Sequence, residues 1–390
     1  MQMPAYIKAT KSFTYSLYIL TGGFALAFTI SGVVVSHVIE YFGLAGAQQG
    51  YMNSMINIGN TAAILLTIVM HIRLKKTSML VLSGLLIVSM LLLTGLSVSF
   101  YMLLAVSLIL GFGLGWIDSY LNSCVIDVNP SDSLKKQGIM HGSYGIGALL
   151  TPILIAAMVT KINWNGAYLF IAPVVLAAVV IYMVTLRYTG RHIALSNTDP
   201  PRFSAKEIGL FLKEKKYILL LAACFTYSIM QFGLFTWLVR YMTVQYGNEE
   251  LGMMSITVMW IFTTISRFIA PRLKIDSMKL LVYGYFIAGI ALFIGIVSNS
   301  LWVMMAMVGL GSLTTGQSIM VLINKSVTIY EGNSLLPTSA ILLMTRIAGM
   351  VTPPALGFIS TYSMQGSMMV VVIAIFIAGC FGLAFLRVKQ

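Results

Sequence analysis

Long apolar runs separated by short polar breaks constrain this chain more than any other feature. One helix needs roughly 20 predominantly apolar residues to cross a lipid bilayer. The breaks leave twelve runs of about this length, at residues 12–39, 48–70, 77–97, 99–125, 138–160, 165–187, 216–241, 250–271, 277–297, 300–324, 335–360 and 366–387. The sequence therefore predicts an all-α membrane protein with twelve transmembrane helices.

The composition excludes a water-soluble globular domain. The 390 residues are 58% hydrophobic and only 9% charged, whereas a soluble domain carries about 25% charged residues. The net charge of +13 does not indicate nucleic-acid binding, because the basic residues lie in the breaks between apolar runs. Cys124, Cys224 and Cys380 all lie in apolar runs and are odd in number, so they imply no disulfide framework.

The distribution of Lys and Arg predicts the orientation in the membrane. With the N-terminus inside, only Lys161 and Arg240 of the 24 basic residues fall outside, and Arg267 and Arg346 lie within runs. Basic residues are enriched in cytoplasmic loops. We therefore expect a multi-pass protein of a plasma membrane, such as a bacterial inner membrane, with both termini cytoplasmic.

The chain contains two similar halves. The longest polar break, 188–215, is predicted to be a cytoplasmic linker between a six-helix bundle at 1–187 and a second at 216–390. Three landmarks recur in corresponding places: HIRLKK at 71–76 with PRLK at 271–274, GFGLG at 111–115 with GLGSL at 309–313, and GALLTP at 147–152 with GMVTPP at 349–354. Six-helix halves related as parallel repeats are typical of secondary transporters.

These features together resemble the major facilitator superfamily over the whole chain. The resemblance implies the major facilitator fold, alternating access between two bundles, and no enzymatic reaction. The loop MHIRLKKTSM keeps the basic part of the family's pattern after the second helix but lacks its glycine and aspartate. The fourth run, ending D-x-x-x-N, and the segment HGSYGIGALLTP look most like the fucose–proton symporter group.

Asp118 is the only acid that lies well inside an apolar run. A carboxylate there is costly unless it is paired, protonated or hydrated, which indicates proton coupling, with a bracing salt bridge as the alternative. Asn122 follows four residues later and shares its helix face. His141 opens the fifth run and can accept a proton near neutral pH; it could instead hydrogen-bond Asp118 or cap the helix.

Two arginines are candidates for a charge pair or gate with Asp118. Arg346 lies in the middle of the eleventh run and must find an acid, carbonyl groups or water; an anionic substrate is the alternative partner. Arg267 lies near the end of the eighth run, where its side chain is expected to snorkel towards water as a structural anchor. In the repeat alignment Gln317 stands opposite Asp118, and Arg346 stands opposite Tyr144.

Amide and aromatic side chains are the candidate substrate contacts, because they suit the hydroxyl groups and the C–H face of a sugar. In the family, the first, fourth, seventh and tenth helices line the central cavity. The candidates are Asn57, Asn122, Tyr144, Tyr227, Gln231, Trp237 and Gln317. The alternatives are helix-to-helix adhesion for the stripe Asn53, Asn57 and Asn60, and an interfacial anchor for Trp237.

The expected function is secondary active transport, with proton symport of a small neutral polar solute such as a sugar. No nucleotide-binding motif, metal cluster or catalytic triad is present in the sequence, so no cofactor is expected beyond a proton or sodium gradient. The alternatives are proton-coupled efflux of lipophilic compounds, transport of a small organic anion by means of Arg346, and a non-transporting sensor on a transporter scaffold. The expected partners are a small-molecule substrate and the lipid bilayer, without nucleic acid, and the protein is expected to be a monomer.

Overall fold

The structure, a computed structural model, describes the chain except residues 1–2, 45–47, 70–73, 160–162, 190–208, 210–212, 248, 331–333, 361 and 389–390. The long helices of the first half are α1 (Met3–Phe42), α2 (Gln48–Val69), α3 (Lys76–Gly95), α4 (Phe100–Val128), α5 (Ser133–Val159) and α6 (Trp164–Thr189). Those of the second half are α7 (Lys215–Tyr246), α8 (Glu249–Ile269), α9 (Ser277–Val297), α10 (Leu301–Thr315), α11 (Ser318–Ile329), α12 (Leu335–Ser360) and α13 (Met364–Arg387).

The helices correspond to the predicted spans, with α10 and α11 together forming the tenth. Within the described residues, ten stretches are long and apolar enough to cross a membrane. The remaining two helices, α2 and α5, carry more polar side chains, including three asparagines in α2 and the sequence SLKKQGIMH at the start of α5. The prediction of an all-α, multi-pass membrane protein is confirmed.

Side-chain caps and one glycine set several helix ends. Oγ of Ser99 accepts the backbone N–H of Met102 at the start of α4, and Oγ of Ser363 accepts that of Gly366 at the start of α13. Both bonds satisfy a donor that the first helical turn leaves unpaired. Gly247 ends α7 with a φ of 68°, a left-handed conformation that glycine adopts without a steric penalty.

The chain divides into two compact units. The first comprises Met1–Arg202 together with Asn333–Ser339, and the second comprises Phe203–Gly332 together with Ala340–Gln390. The short segment Asn333–Ser339 thus groups with the first unit, although it lies in the second half of the sequence. The predicted linker at 188–215 lies mostly outside the described residues.

Several helix pairs that pack together in the first unit have counterparts in the second. In the first unit α1 packs against α6, α2 against α4, and α3 against both α4 and α6. In the second unit the corresponding pairs are α7 with α13, α8 with α10, and α9 with both α10 and α13. The internal repeat seen in the sequence is therefore also a repeat of helix packing.

Large apolar side chains cover much of the outward surface. On α9, for example, Ile287, Ile290 and Ile294 are 44%, 53% and 44% exposed. Soluble proteins rarely expose large continuous apolar surfaces, whereas side chains of this kind suit contact with lipid. Since every backbone hydrogen bond of a helix is made internally, helices with such surfaces are suited to a bilayer.

Candidate functional site

Close packing of α2 against α4 positions the Asp118 region in the first unit. A Cβ added to Gly111 would overlap the carbonyl oxygen of Ile56, and one added to Gly115 would lie 2.5 Å from the carbonyl oxygen of Asn60. Small residues permit this approach of two helices in a membrane. The glycines of GFGLG therefore serve helix packing, as their place in an apolar run predicts.

Asp118, Asn122 and His141 form a hydrogen-bonded chain. Nδ2 of Asn122 donates to Oδ1 of Asp118 at 3.1 Å and to the backbone oxygen of Asp118 at 2.9 Å. Oδ1 of Asn122 lies 3.0 Å from Nε2 of His141. Asp118 is 8% exposed and Asn122 is fully buried. The structure thus brings these three predicted residues together, with the amide between the two titratable groups.

The direction of these bonds follows from the chemistry of the amide. The backbone oxygen of Asp118 can only accept, so the atom facing it must be the NH₂ group of Asn122. The amide oxygen then faces His141, whose Nε2 must carry a hydrogen and donate it.

Tyr144 lies one helical turn beyond His141 on α5, in an aromatic cluster of the first unit. Its ring centroid is 5.4 Å from that of Phe24 and 6.5 Å from that of Phe28, and the ring planes are tilted. Such tilted arrangements are among the favourable ones for aromatic pairs. The cluster holds the half-buried Tyr144 against α1.

Two asparagines of the predicted polar stripe on α2, Asn57 and Asn60, differ in how deeply they are buried. Asn57 is half-buried, and its Nδ2 donates to the backbone oxygen of Asn53 at 3.0 Å. Asn60 is fully buried where α2 meets Gly115, and neither atom of its amide has a hydrogen-bond partner among the described residues. The burial of Asn60 agrees with a place in the helix interface, while Asn57 is only half-buried and its predicted substrate contact stays a prediction.

A second buried polar cluster in the first unit was missed by the sequence analysis. Nζ of Lys76 lies 2.7 Å from Oδ2 of Asp127, and their side chains are 0% and 5% exposed. Oγ of Ser334 donates to Oδ1 of Asp127 at 2.6 Å, and it accepts from Lys76 at 3.2 Å. Because its hydrogen is used on Asp127, Ser334 also accepts the bond from Ser123, at 2.6 Å.

This cluster corrects the expectation that Asp118 is the only interior acid. The predicted fourth span ends at residue 125 and leaves Asp127 in a loop, but α4 continues to Val128. Lys76 is the first residue of α3 and Asp127 is close to the last of α4. Opposite charges at the same end of adjacent antiparallel helices are the signal that could have identified the pair.

The three candidate substrate contacts on α7, Tyr227, Gln231 and Trp237, differ in their burial and in their contacts within the second unit. Tyr227 is buried and stacks on Tyr285, with centroids 5.6 Å apart and planes at 19°. Nε1 of Trp237 donates to the backbone oxygen of Pro353 at 3.1 Å. Trp237 is therefore held against α12, and its predicted role as a substrate contact or an interfacial anchor stays a prediction. Gln231 remains half-buried.

The tenth span is broken at Gln317, the residue that aligns with Asp118 in the repeat. α10 ends at Thr315 and α11 begins at Ser318. Nε of Arg267 donates to the carbonyl oxygen of Gly316 at 3.1 Å, and its guanidinium carbon lies 5.8 Å from the ring centroid of Trp260. Arg267 is only 6% exposed. The side chain does not reach water, because a carbonyl group freed at the break is its partner, and its role as an anchor or as part of a gate stays a prediction.

The predicted pairing of Asp118 with Arg346 stays a prediction. Arg346 is 8% exposed and lies on the part of α12 that belongs to the second unit, whereas Asp118 belongs to the first. Within the described residues, no group of three or more His, Cys, Asp or Glu side chains is arranged to hold a metal ion.

A family model described as Major Facilitator Superfamily matches residues 17–335. Among curated proteins, the glucose/mannose transporter GlcP of Bacillus subtilis (strain 168) is 22% identical over 190 residues. That match covers 47% of this chain and 47% of GlcP. The chain thus spans about half the length of the curated relative that it matches.

Solved structures share the fold at low sequence identity. The E. coli fucose:proton symporter FucP has a TM-score of 0.75 and 16% identity, covering 99% of this chain and 100% of FucP. A crystal structure of FucP in the outward conformation gives 0.72 with 97% and 100% coverage. The human organic anion transporter MFSD10 (TETRAN) has a TM-score of 0.70 and 12% identity, covering 95% of this chain and 99% of MFSD10.

Proposed function

The chain belongs to the Major Facilitator Superfamily, and on that premise we propose that it is a proton-coupled symporter of a small neutral polar solute, with a sugar as the expected class. It is a multi-pass membrane transport protein and not an enzyme. The proposal concerns the finer points: the coupling ion, the direction of transport, the substrate class and the residues that serve each role.

The observation that carries the proposal is the chain Asp118–Asn122–His141. Loss of water disfavours the ionised form of a carboxyl group much more than its protonated form. A movement that admits water to Asp118 in one state and removes it in another therefore couples the movement to a proton. Asn122 holds the carboxylate at 3.1 Å and the imidazole at 3.0 Å, so a change at one titratable group alters the hydrogen bond to the other.

A sugar is favoured by the side chains that the proposal assigns to the substrate. They combine amides, which form directional hydrogen bonds with hydroxyl groups, and aromatic rings, which cover C–H surfaces. The assigned residues are Asn57, Asn122, Tyr144, Tyr227, Gln231, Trp237 and Gln317. The printed names of two similar proteins, a fucose:proton symporter and a glucose/mannose transporter, support the same substrate class.

The proposal is tested by uptake into proteoliposomes under an imposed pH gradient. A panel of labelled sugars identifies the substrate, and wild-type uptake is expected to accelerate when the outside is acidic. Asp118→Asn keeps the shape of the side chain but removes the titrating group, so gradient-driven uptake should be lost while counterflow exchange persists. Asp132→Asn, at an exposed acid between α4 and α5, is the matched control and should leave uptake unchanged. Unaltered pH dependence in Asp118→Asn would show that Asp118 is not the coupling residue.

Transport of a small organic anion is the second candidate. It is favoured by the buried guanidinium of Arg346, and MFSD10, a similar structure, is an organic anion transporter. In that case Arg346→Gln should abolish binding of organic anions while Asp118→Asn retains it. Loss of sugar uptake in Asp118→Asn, with no anion transport by the wild type, would decide against this candidate.

A further inference from the structure

A groove opens where the first helix of the second unit meets the last. α7 and α13 pack side by side, and a Cβ built on Gly233 of α7 would lie 2.6 Å from Cγ2 of Val371 on α13. Near the start of α7 and the end of α13 the two helices leave a cavity of about 490 Å³. Its lining residues are Lys215, Cys380, Leu383, Ala384, Arg387 and Val388.

The charges of this groove are of one sign. Lys215 and Arg387 are both exposed, and neither takes part in an ion pair with another described residue. The nearest acid in sequence, Glu214, occupies the N-cap position of α7 without a side-chain capping bond, and it does not line the groove. An anion is therefore the complementary ligand, and a planar guanidinium beside an ammonium suits a phosphate group.

The groove is also amphipathic along its length. Arg387 and Cys380 are separated by seven residues of α13, or about 10 Å along the helix axis. Over that distance the lining changes from two cations to Leu383, Ala384 and the exposed thiol of Cys380. Both helices are long and apolar enough to span a bilayer, so the cationic end lies towards a membrane surface and the apolar end towards its hydrocarbon.

We propose that this groove binds an anionic phospholipid. Its phosphate lies between Lys215 and Arg387, and an acyl chain follows Leu383 and Ala384 towards Cys380. On the topology predicted from the sequence this end of the second unit faces the cytoplasm, where bilayers carry anionic lipids and basic pockets between helices recognise their head groups. The site is separate from the Asp118 region and does not depend on the proposed substrate.

The site is tested by native mass spectrometry of the delipidated full-length protein. Titration with phosphatidylglycerol should give one retained lipid at low concentration, while phosphatidylcholine with the same acyl chains should give none. The double variant Lys215→Gln, Arg387→Gln should weaken lipid retention roughly thirtyfold. Each cation near a membrane surface contributes about 1 kcal/mol to the attraction of an anionic lipid, and the loss of two cations converts to this factor. Lys135→Gln with Lys274→Gln removes two exposed cations elsewhere and should retain the lipid. Equal loss in both pairs would overturn the proposal.

Cys380 supplies an independent readout in the unmodified protein. It is the exposed cysteine of the three, since Cys124 and Cys224 are buried. Phosphatidylglycerol should slow maleimide labelling of Cys380 several-fold, and phosphatidylcholine and inorganic phosphate should not. If inorganic phosphate protects Cys380 and raises the unfolding temperature as well as the lipid does, the groove is a site for a free anion and the lipid assignment is wrong. Matching unfolding temperatures of both double variants without lipid exclude misfolding as the cause.

Discussion

Nε of Arg267 lies 3.1 Å from the carbonyl oxygen of Gly316, at the point where the tenth span stops being a continuous helix. The last carbonyl groups of α10 have no partner within the helix, and they form the negative end of its dipole. A Cβ at Gly316 would lie 2.7 Å from the Cα of Thr263, so α8 and the break are in close contact. Arg267 thus stabilises a broken helix from the neighbouring one.

Replacing Arg267 by Lys should destabilise the protein although the charge is kept. The ammonium lacks the fixed Nε donor, so the bond to Gly316 and the contact with Trp260 are not reproduced. We expect a loss of about 1–3 kcal/mol, measured as a lower unfolding temperature in detergent. Arg272→Lys is the control, because Arg272 is exposed and bonds the carbonyl oxygen of Phe268, four residues earlier. Equal shifts for both variants would contradict the assigned role.

Lys76→Met should be strongly destabilising. It leaves Asp127 as a buried charge without its cation, at a cost of about 3–5 kcal/mol. The double variant Lys76→Met, Asp127→Leu should recover most of this loss, since apolar replacement of a buried ion pair is often close to neutral. The hydroxyls of Ser123 and Ser334, 2.6 Å apart, still bond each other. If thermal unfolding shows the double variant to be no more stable than Lys76→Met, the loss in Lys76→Met does not come from the unpaired carboxylate of Asp127.

Gly111→Ala should disturb the contact between α2 and α4. The added Cβ would overlap the carbonyl oxygen of Ile56, and overpacking of this kind costs about 1–3 kcal/mol. Gly22→Ala is the control, because its Cβ would meet its nearest neighbour, the carbonyl oxygen of Ser143, at 3.8 Å. Thermal unfolding of the two variants compares them directly. We expect Gly22→Ala to be neutral or slightly stabilising through its better helix propensity.

Asp276 should make the start of α9 sensitive to acid. Its Oδ1 accepts the backbone N–H groups of Met278 and Lys279 at 3.0 and 2.9 Å, and Oδ2 lies 3.5 Å from Nζ of Lys325. Partial burial tends to raise the pKa of the carboxyl group. The N–H of Lys279, the Lys325 ammonium and the N–H of Met278 outweigh it and hold the pKa below its ordinary value of 3.8.

The sign of the effect follows from this lowered pKa. The carboxylate's contribution to stability is complete above the ordinary value and is lost as pH falls through the folded-state pKa. Asp276→Asn keeps a capping oxygen and should remove this pH dependence, whereas Asp276→Ala should lose about 1 kcal/mol near neutral pH. Unfolding temperatures between pH 3 and pH 7 provide the measurement. An Asp276→Asn profile parallel to that of the wild type would contradict the assignment.

The spans could be predicted from the sequence because a bilayer imposes a length and an apolar composition that are read directly. The ninth span, 277–297, has the same bounds in the structure as in the prediction. Errors occur where tertiary contacts override composition. α4 extends to Val128, and Asp127 in its last turn pairs with Lys76 on α3. The tenth span breaks at Gly316 and Gln317, where Arg267 of α8 bonds a carbonyl group.

Part of the site followed from helical periodicity alone. The spacing of four between Asp118 and Asn122 places both on one helix face, and their side chains are indeed bonded. The partner of His141 could not be derived in this way. Whether His141 bonds the carboxylate or the amide depends on how α5 lies against α4, and the structure selects Asn122.

The sequence by itself determined the solvent, the class of fold and the duplication of this protein. The length of the apolar runs and the scarcity of charge are properties of each segment, because lipid imposes them on every span separately. The duplication is visible in the sequence itself as repeated landmarks. Only the tertiary structure decided which buried charges have partners, because partners such as Asp127 for Lys76 and Gly316 for Arg267 lie on different helices. Such contacts depend on the relative position and rotation of packed helices, which no single segment encodes.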